Sequence, residues 1–309
     1  MLVDPNLPFP LMRSLVETFY DFQDQRMITF NRIFTNAKLN GITKKQLDEY
    51  GISELLTKAK AFEKDIKKRL ESEVKHYPLH QEYLTGIWGI GPILSSGLLA
   101  YIGDIKRFDK ISNLWQYGGF GLNMFCTKCN APTWINITFK KKDGKTTTGK
   151  KLQPLPKCPT CHGNTIPIIQ RRYTGYLNNW NDKFKVLGWK IGQSFVKQGP
   201  KSYYYNLYLQ FKQDERRNHP DKIKVNGKTQ FNDGHIHNRA LKKVVKIFLA
   251  HLWVTWRRLE HLPVTEPYVG QILGHGTIEP IMDKPRKNVK PKEPKKSKPK
   301  KSASLPKET

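Results

Sequence analysis

The sequence predicts a mainly helical protein interrupted once by a small β module, and three observations predict it. Apolar residues recur at steps of three and four over long stretches. Four cysteines fall into two Cys-x-x-Cys pairs. Gly89-Ile90-Gly91-Pro92 stands between two apolar runs. The first pattern is helical periodicity, the second is metal-ligand spacing, and the third marks a tight helix-to-helix turn.

Residues 1–79 read as a helical hairpin. From Leu11 to Ala37 one stripe holds Leu11, Leu15, Phe19, Phe22, Phe30, Ile33 and Ala37, broken where polar Arg26 falls in register, and Gly41 supplies the stop. A second stripe holds Leu56, Ala59, Phe62, Ile66, Leu70 and Val74 and ends before Pro78. Two amphipathic helices on a short connector pack as an antiparallel pair or as a coiled coil between chains, and the stripes alone leave both open. A homo-oligomer through these helices is the expected quaternary state.

Residues 80–121 carry the glycine turn. An apolar stretch from Tyr83 to Trp88 enters it, and Pro92 sits where a new helix places its first residue. This is a helix-hairpin-helix pattern. Gly89 and Gly91 would let the backbone approach a phosphate, and free N–H groups at the following helix start, near Ser95, would bind it without reading sequence.

Residues 122–167 form the predicted β module. Cys126-Thr127-Lys128-Cys129 and Cys158-Pro159-Thr160-Cys161 are separated by 28 residues and use every cysteine of the chain. Each pair can present two thiolates to one tetrahedral Zn²⁺, with Thr133 to Lys140 as a strand and Lys142-Asp143-Gly144-Lys145 as its turn. Four thiolates close the coordination sphere, so the expected zinc is structural. A ribbon this small would depend on it to fold.

Helices resume over residues 168–262. One is expected with Leu177, Trp180, Phe184, Leu187, Ile191 and Phe195 inward, and another with Tyr203, Leu207, Tyr208 and Phe211. Lys212 to Asn238 reads as a polar loop containing Asn226-Gly227, His235 and His237; two histidines there need have no role as ligands. A final helix is expected from about Arg239, with Arg239, Lys242, Lys243 and Lys246 as an exposed phosphate-binding stripe, and Arg171 and Arg172 as further contacts. Residues 263–309 read as a linker and a disordered Lys/Pro-rich tail.

Charge then selects the partner. The chain has 54 Lys+Arg against 26 Asp+Glu, a formal net charge of +28. Residues 283–309 hold 11 Lys+Arg and 3 Asp+Glu, so the other 282 residues still carry 28 − 8 = +20. A body so basic repels itself unless a polyanion shares its surface, and nucleic acid is the usual one. No run approaches the roughly 18 apolar residues of a membrane span, and the start Met1-Leu2-Val3-Asp4-Pro5 lacks a secretory pattern. A cytoplasmic, nucleoid-associated location is expected.

The order of these features resembles the C-terminal portion of insertion-sequence transposases that carry a RuvC-like DEDD nuclease domain, the serine-dependent, RNA-guided recombinase type. The similarity runs through Arg13-Ser14-Leu15-Val16, Gln25-Arg26 and Asn31-Arg32. It is most specific from Gly86-Ile87-Trp88-Gly89-Ile90-Gly91-Pro92 to Phe108, and it closes at Leu114-Trp115-Gln116-Tyr117-Gly118-Gly119-Phe120-Gly121. It covers roughly residues 11–121 and 168–262. The resemblance implies DNA as partner, a structured guide RNA as a further one, and a part in DNA transposition or recombination. Two departures bear on catalysis. Only about ten residues precede the helical hairpin, where the family's acidic nuclease domain stands. The ribbon occupies the interval where the family places a nucleophilic serine; no serine occurs between Ser112 and Ser194, and Thr174-Gly175 is a weak echo. The expectation is a DNA-binding protein with no complete catalytic centre. The alternatives are the recognition subunit of a split transposase, with the nuclease domain supplied in trans, and an RNA-binding or RNA–DNA bridging protein.

Overall fold

The computed structural model describes residues 8–140, 144–225, 228–265 and 279–283, with the side chains of 224–230 outside that description. Its framework is mainly helical. Helix α1 (Phe9–Leu39) runs without a break, because Arg26 leaves the apolar stripe to pair with Glu63 at 2.7 Å instead of interrupting the helix. The connector holds a short helix α2 (Lys44–Glu49), started by a Thr43–Gln46 capping box. Helix α3 (Ile52–Val74) then returns antiparallel to α1. Phe22 meets Phe62, while Met12, Val16 and Phe19 share the core with Ile66, Leu70 and Val74.

A short helix α4 (Pro78–Glu82) and a 3₁₀ turn at Leu84–Gly86 lead into the glycine turn. Helix α5 (Pro92–Ile102) follows, with Gly91 at its N-cap. Eight of its eleven residues are buried, and α1, α3 and helix α7 (Asp182–Val196) surround it. A helix apolar on every side belongs at the centre of a core. Helix α6 (Ile111–Tyr117), α7 and helix α8 (Tyr203–Asn218) pack along the 27-residue helix α9 (Asp233–Leu259). Trp253 of α9, wholly buried, donates its indole N–H to the Phe108 carbonyl at 2.7 Å. Its partner is needed, since a buried indole N–H left unbonded would cost free energy.

The β module leaves the helical body after α6. Strand β1 (Leu122–Cys126) pairs antiparallel with β2 (Ala131–Pro132) and with β5 (Thr165–Ile169), and β3 (Trp134–Lys140) pairs with β4 (Thr146–Leu152) from Trp134↔Leu152 to Lys140↔Thr146. The expected strand over 133–140 is thus present, while Lys142 and Asp143 of its turn lie outside the described residues. At the root, Gln170 accepts from the Gly121 amide at 2.7 Å and donates to the Gln116 carbonyl and to Asn179, which in turn donates to Asn123. The module also reaches further than 167. Leu177, expected inside a helix, instead bridges to β4 through Leu152 N–H to Leu177 O at 2.9 Å and Leu177 N–H to Lys150 O at 2.8 Å, and α7 begins only after the Asn181 cap.

The polar loop expected over 212–238 is corrected. Helix α8 runs to Asn218, strands β6 (Ile223–Val225) and β7 (Lys228–Gln230) form a hairpin, and α9 starts at Asp233. Asn232 accepts from the His235 amide and fixes that start, a cap the apolar stripe could not mark. Asn226 and Gly227 lie outside the described residues.

Part of the expected linker and tail is packed. Asp283 accepts from the Trp88 amide at 2.8 Å and from the Tyr203 amide, its own amide donates to the Gly86 carbonyl at 3.0 Å, and Met282 lies against Gly86. Glu279 forms a two-bond ion pair with Arg258 at 2.9 Å. Residues 266–278 and 284–309 lie outside the described residues, and the expected disorder of the tail with them.

Candidate metal centre and basic surface

Cys126 ends β1 and Cys129 follows its turn, while Cys158 and Cys161 sit in the second turn just before β5. Their four Sγ atoms all lie within 4.8 Å of one another, with Cys126–Cys161 and Cys129–Cys158 each at 3.5 Å. A disulfide needs about 2.05 Å, so these are separate thiols. Four sulfurs at about 2.3 Å from one tetrahedral ion stand about 3.8 Å apart, a spacing this cluster brackets. The four cysteines can therefore hold a metal ion.

The two turns are built alike. The residue after each second cysteine is left-handed, Asn130 at φ 51° and His162 at φ 53°. Backbone amides point at the sulfurs. Those of Cys129 and Lys128 draw the Cys126 thiol below its ordinary range, and those of Cys161 and Thr160 draw Cys158 down to about 6. Gly163 closes the cradle, for a Cβ there would lie 3.3 Å from the sulfurs of Cys126 and Cys161 and 3.1 Å from Lys128. Spacing pointed to the four cysteines that come together; nothing in it revealed Gly163 or the shared left-handed residues.

The residues expected to meet phosphate divide into distinct kinds. Gly89 (φ +93°) is required by packing, since a Cβ would meet Ser194 at 3.2 Å and Gln198 at 3.1 Å, and its carbonyl accepts from Ser194 Oγ at 2.7 Å. Gly91 is exposed, with open space where a Cβ would go. Ser95 is completely buried, so it is dropped as a phosphate contact. Arg172 is paired with Asp182 at 2.9 Å, and Arg171 lies exposed against Tyr173.

The α9 stripe is not the open basic face the periodicity suggests. Arg239 and Lys243 both bind Glu215 of α8, a carboxylate only 1% exposed, with His219 3.7 Å away. Burial pushes Glu215 up, but Arg239 and Lys243 outweigh it and hold the carboxyl below its ordinary range. Glu215 follows Phe211 by one helical turn, in register with the buried side of α8, and that register was its available signal.

Lys242 and Lys246 differ. Both are half-buried, and Lys246 Nζ lies 4.3 Å from the Trp115 ring. Lys185 of α7, missed by sequence reasoning, lies 4.3 Å from the Trp180 ring. Burial, then the charges of Lys185, Lys246 and Arg239, bring Lys242 down to about 8. Burial lowers Lys185 and Lys246 as well, with Asp182 opposing the effect at Lys185.

His235 and His237, placed in the first two turns of α9, are engaged inside the protein. His235 Nδ1 accepts from the Phe231 amide, and His237 bonds Tyr208 and Gln193. Thr174 stands exposed in the turn before α7, and no base hydrogen-bonds to it among the described residues. No helix among the described residues is long and apolar enough to cross a membrane. No family model matches the chain, and no curated protein is found similar to it.

Proposed function

We propose that this chain binds nucleic acid through its helical body, takes part in DNA transposition or recombination, and uses one structural Zn²⁺ to hold its ribbon. The observation that carries the binding reading is the surplus of 54 cationic over 26 anionic side chains, of which +20 lies outside residues 283–309. Such a surplus raises the folding cost of the free protein and is relieved by a polyanion. The link to transposition rests on the sequence resemblance alone. Zinc is favoured over other ions because four thiolates and no oxygen or imidazole ligand suit a tetrahedral, redox-inert cation. The outer parts of α1 and α3 leave Met27, Ile28, Leu39 and Leu55 at least half exposed, which supports self-association through the hairpin.

The test is duplex DNA binding measured across a salt series. Affinity should fall steeply between 50 and 200 mM salt, as counterion release requires when several phosphates are contacted. A salt-independent affinity, or none at low salt, overturns the reading. Incubated with supercoiled DNA and Mg²⁺, the chain alone should leave no nick, because Thr174 lacks an activating base and closed thiolate ligation leaves the zinc no position for water. A covalent protein–DNA adduct that vanishes in Thr174→Ala would make this chain an enzyme.

A further inference from the structure

Three lysines from two helices are gathered where water reaches them poorly. Lys185 projects from α7, and Lys242 and Lys246 from successive turns of α9, all half-buried. Each of two tryptophans backs one lysine: Trp180, just before α7, lies 4.3 Å from the Lys185 ammonium, and Trp115 of α6 lies 4.3 Å from that of Lys246. Gly119 keeps the first of these pairs close, since a Cβ there would stand 2.7 Å from Lys185 Cδ and 3.1 Å from the Trp180 ring.

The charge balance of the notch is one-sided. The neighbouring cations Arg239 and Lys243 already share Glu215, and Asp182, whose charge acts on Lys185, is bonded to Arg172. No ion pair to Lys185, Lys242 or Lys246 occurs among the described residues. Partly desolvated like charges held together destabilise the fold unless an anion enters.

We propose that Lys185, Lys242 and Lys246, two of them backed by Trp180 and Trp115, form a phosphate-binding notch. The ligand is a phosphate group, either in a nucleic-acid backbone or in a free polyphosphate. This deepens the nucleic-acid reading by narrowing the α9 contacts to Lys242 and Lys246 and adding Lys185. Arg239 and Lys243 are excluded as structural partners of Glu215.

The experiment uses the full chain and the variants Lys242→Met, Lys185→Met and Lys60→Met, the last an exposed control on α3. Each is melted with and without tripolyphosphate, against sodium chloride at matched ionic strength, and each is titrated with duplex DNA across salt. Lys242→Met should melt no lower than wild type, because a like charge leaves a crowded site. Tripolyphosphate should raise the melting temperature of wild type and of Lys60→Met, and that rise should be lost in Lys242→Met and Lys185→Met. For DNA, the slope of log affinity against log salt should shrink by about 0.9 in Lys242→Met, the share of one phosphate contact. Tripolyphosphate protection that needs Lys242, without a DNA effect, supports the notch with free polyphosphate as its source and counts against the nucleic-acid reading. DNA binding with an unchanged slope, and tripolyphosphate protection equal in all four proteins, overturns the notch while leaving nucleic-acid binding intact. A lower melting temperature in Lys242→Met, with protection retained, overturns it too, by making the lysine a packing element.

Discussion

Tyr83, Tyr204 and His251 form a hydrogen-bonded chain through the core, with Tyr204 Oη 2.8 Å from His251 Nδ1 and 3.1 Å from Tyr83 Oη. Burial holds the His251 imidazole down at about 4 against an ordinary 6.5. Below pH 6.5 the unfolded chain takes up this proton first, so stability is complete above that value and declines as pH falls toward 4. The loss is at most about 3 kcal/mol. Urea denaturation at pH 7.5, 6.0 and 5.0 should show the decline, and His251→Gln should flatten it; an equal slope in both proteins would remove His251 as the cause. The glycine pair gives a second prediction at this scale. Gly89→Ala, at φ +93° against Ser194, should cost about 1–2 kcal/mol, whereas Gly91→Ala, at φ −94° in open space, should stay within about 0.5 kcal/mol of wild type by thermal melting. Sequence pattern treated the two glycines alike, because a turn signature does not say which one faces a neighbouring helix. For the same reason it could not place Ser95, three residues inside a helix that proves to be buried all round.

At the scale of elements, the ribbon was the most legible part. Ligand spacing is set by covalent geometry, and four cysteines in two such pairs leave few other arrangements. The legible part ended at the root, where Leu177 joins β4 and Gln170 bonds across to α6, because long-range pairing leaves no local periodicity. Removing the metal with a chelator under reducing conditions should abolish order in β1, β2 and β5 while most helical circular dichroism persists; Cys158→Ser should do the same and lower metal content from about one equivalent to near zero. Full metal retention in Cys158→Ser would dismiss the four-thiolate site. The α8–α9 pair was half legible: its apolar stripes were plain, but a lysine or arginine reads as exposed until a buried acid is found beside it. Glu215→Ala should destabilise the protein by about 2 kcal/mol, below the usual cost of breaking a buried pair because Arg239 and Lys243 can still reach water. Little change in its denaturation midpoint would mean that the two cations were never held by Glu215.

For the molecule as a whole, net charge is the quantity on which the nucleic-acid proposal rests, and it requires no knowledge of the fold. What it concealed was distribution. Cations paired with Glu215, Glu63 or Asp182 add to the total without being available to a ligand, while Lys242 adds the same unit and stays unmatched. Removing residues 284–309, which hold 11 Lys+Arg and 2 Asp+Glu, should reduce the salt dependence of DNA binding without abolishing it, because the body keeps its own surplus; a complete loss would assign binding to the tail. The Asp283 carboxylate ties the amides of Trp88 and Tyr203, which joins the glycine turn to the first turn of α8. One side chain thus works as a staple: losing the Asp283 carboxylate would release the glycine turn and the first turn of α8 from each other at a single stroke.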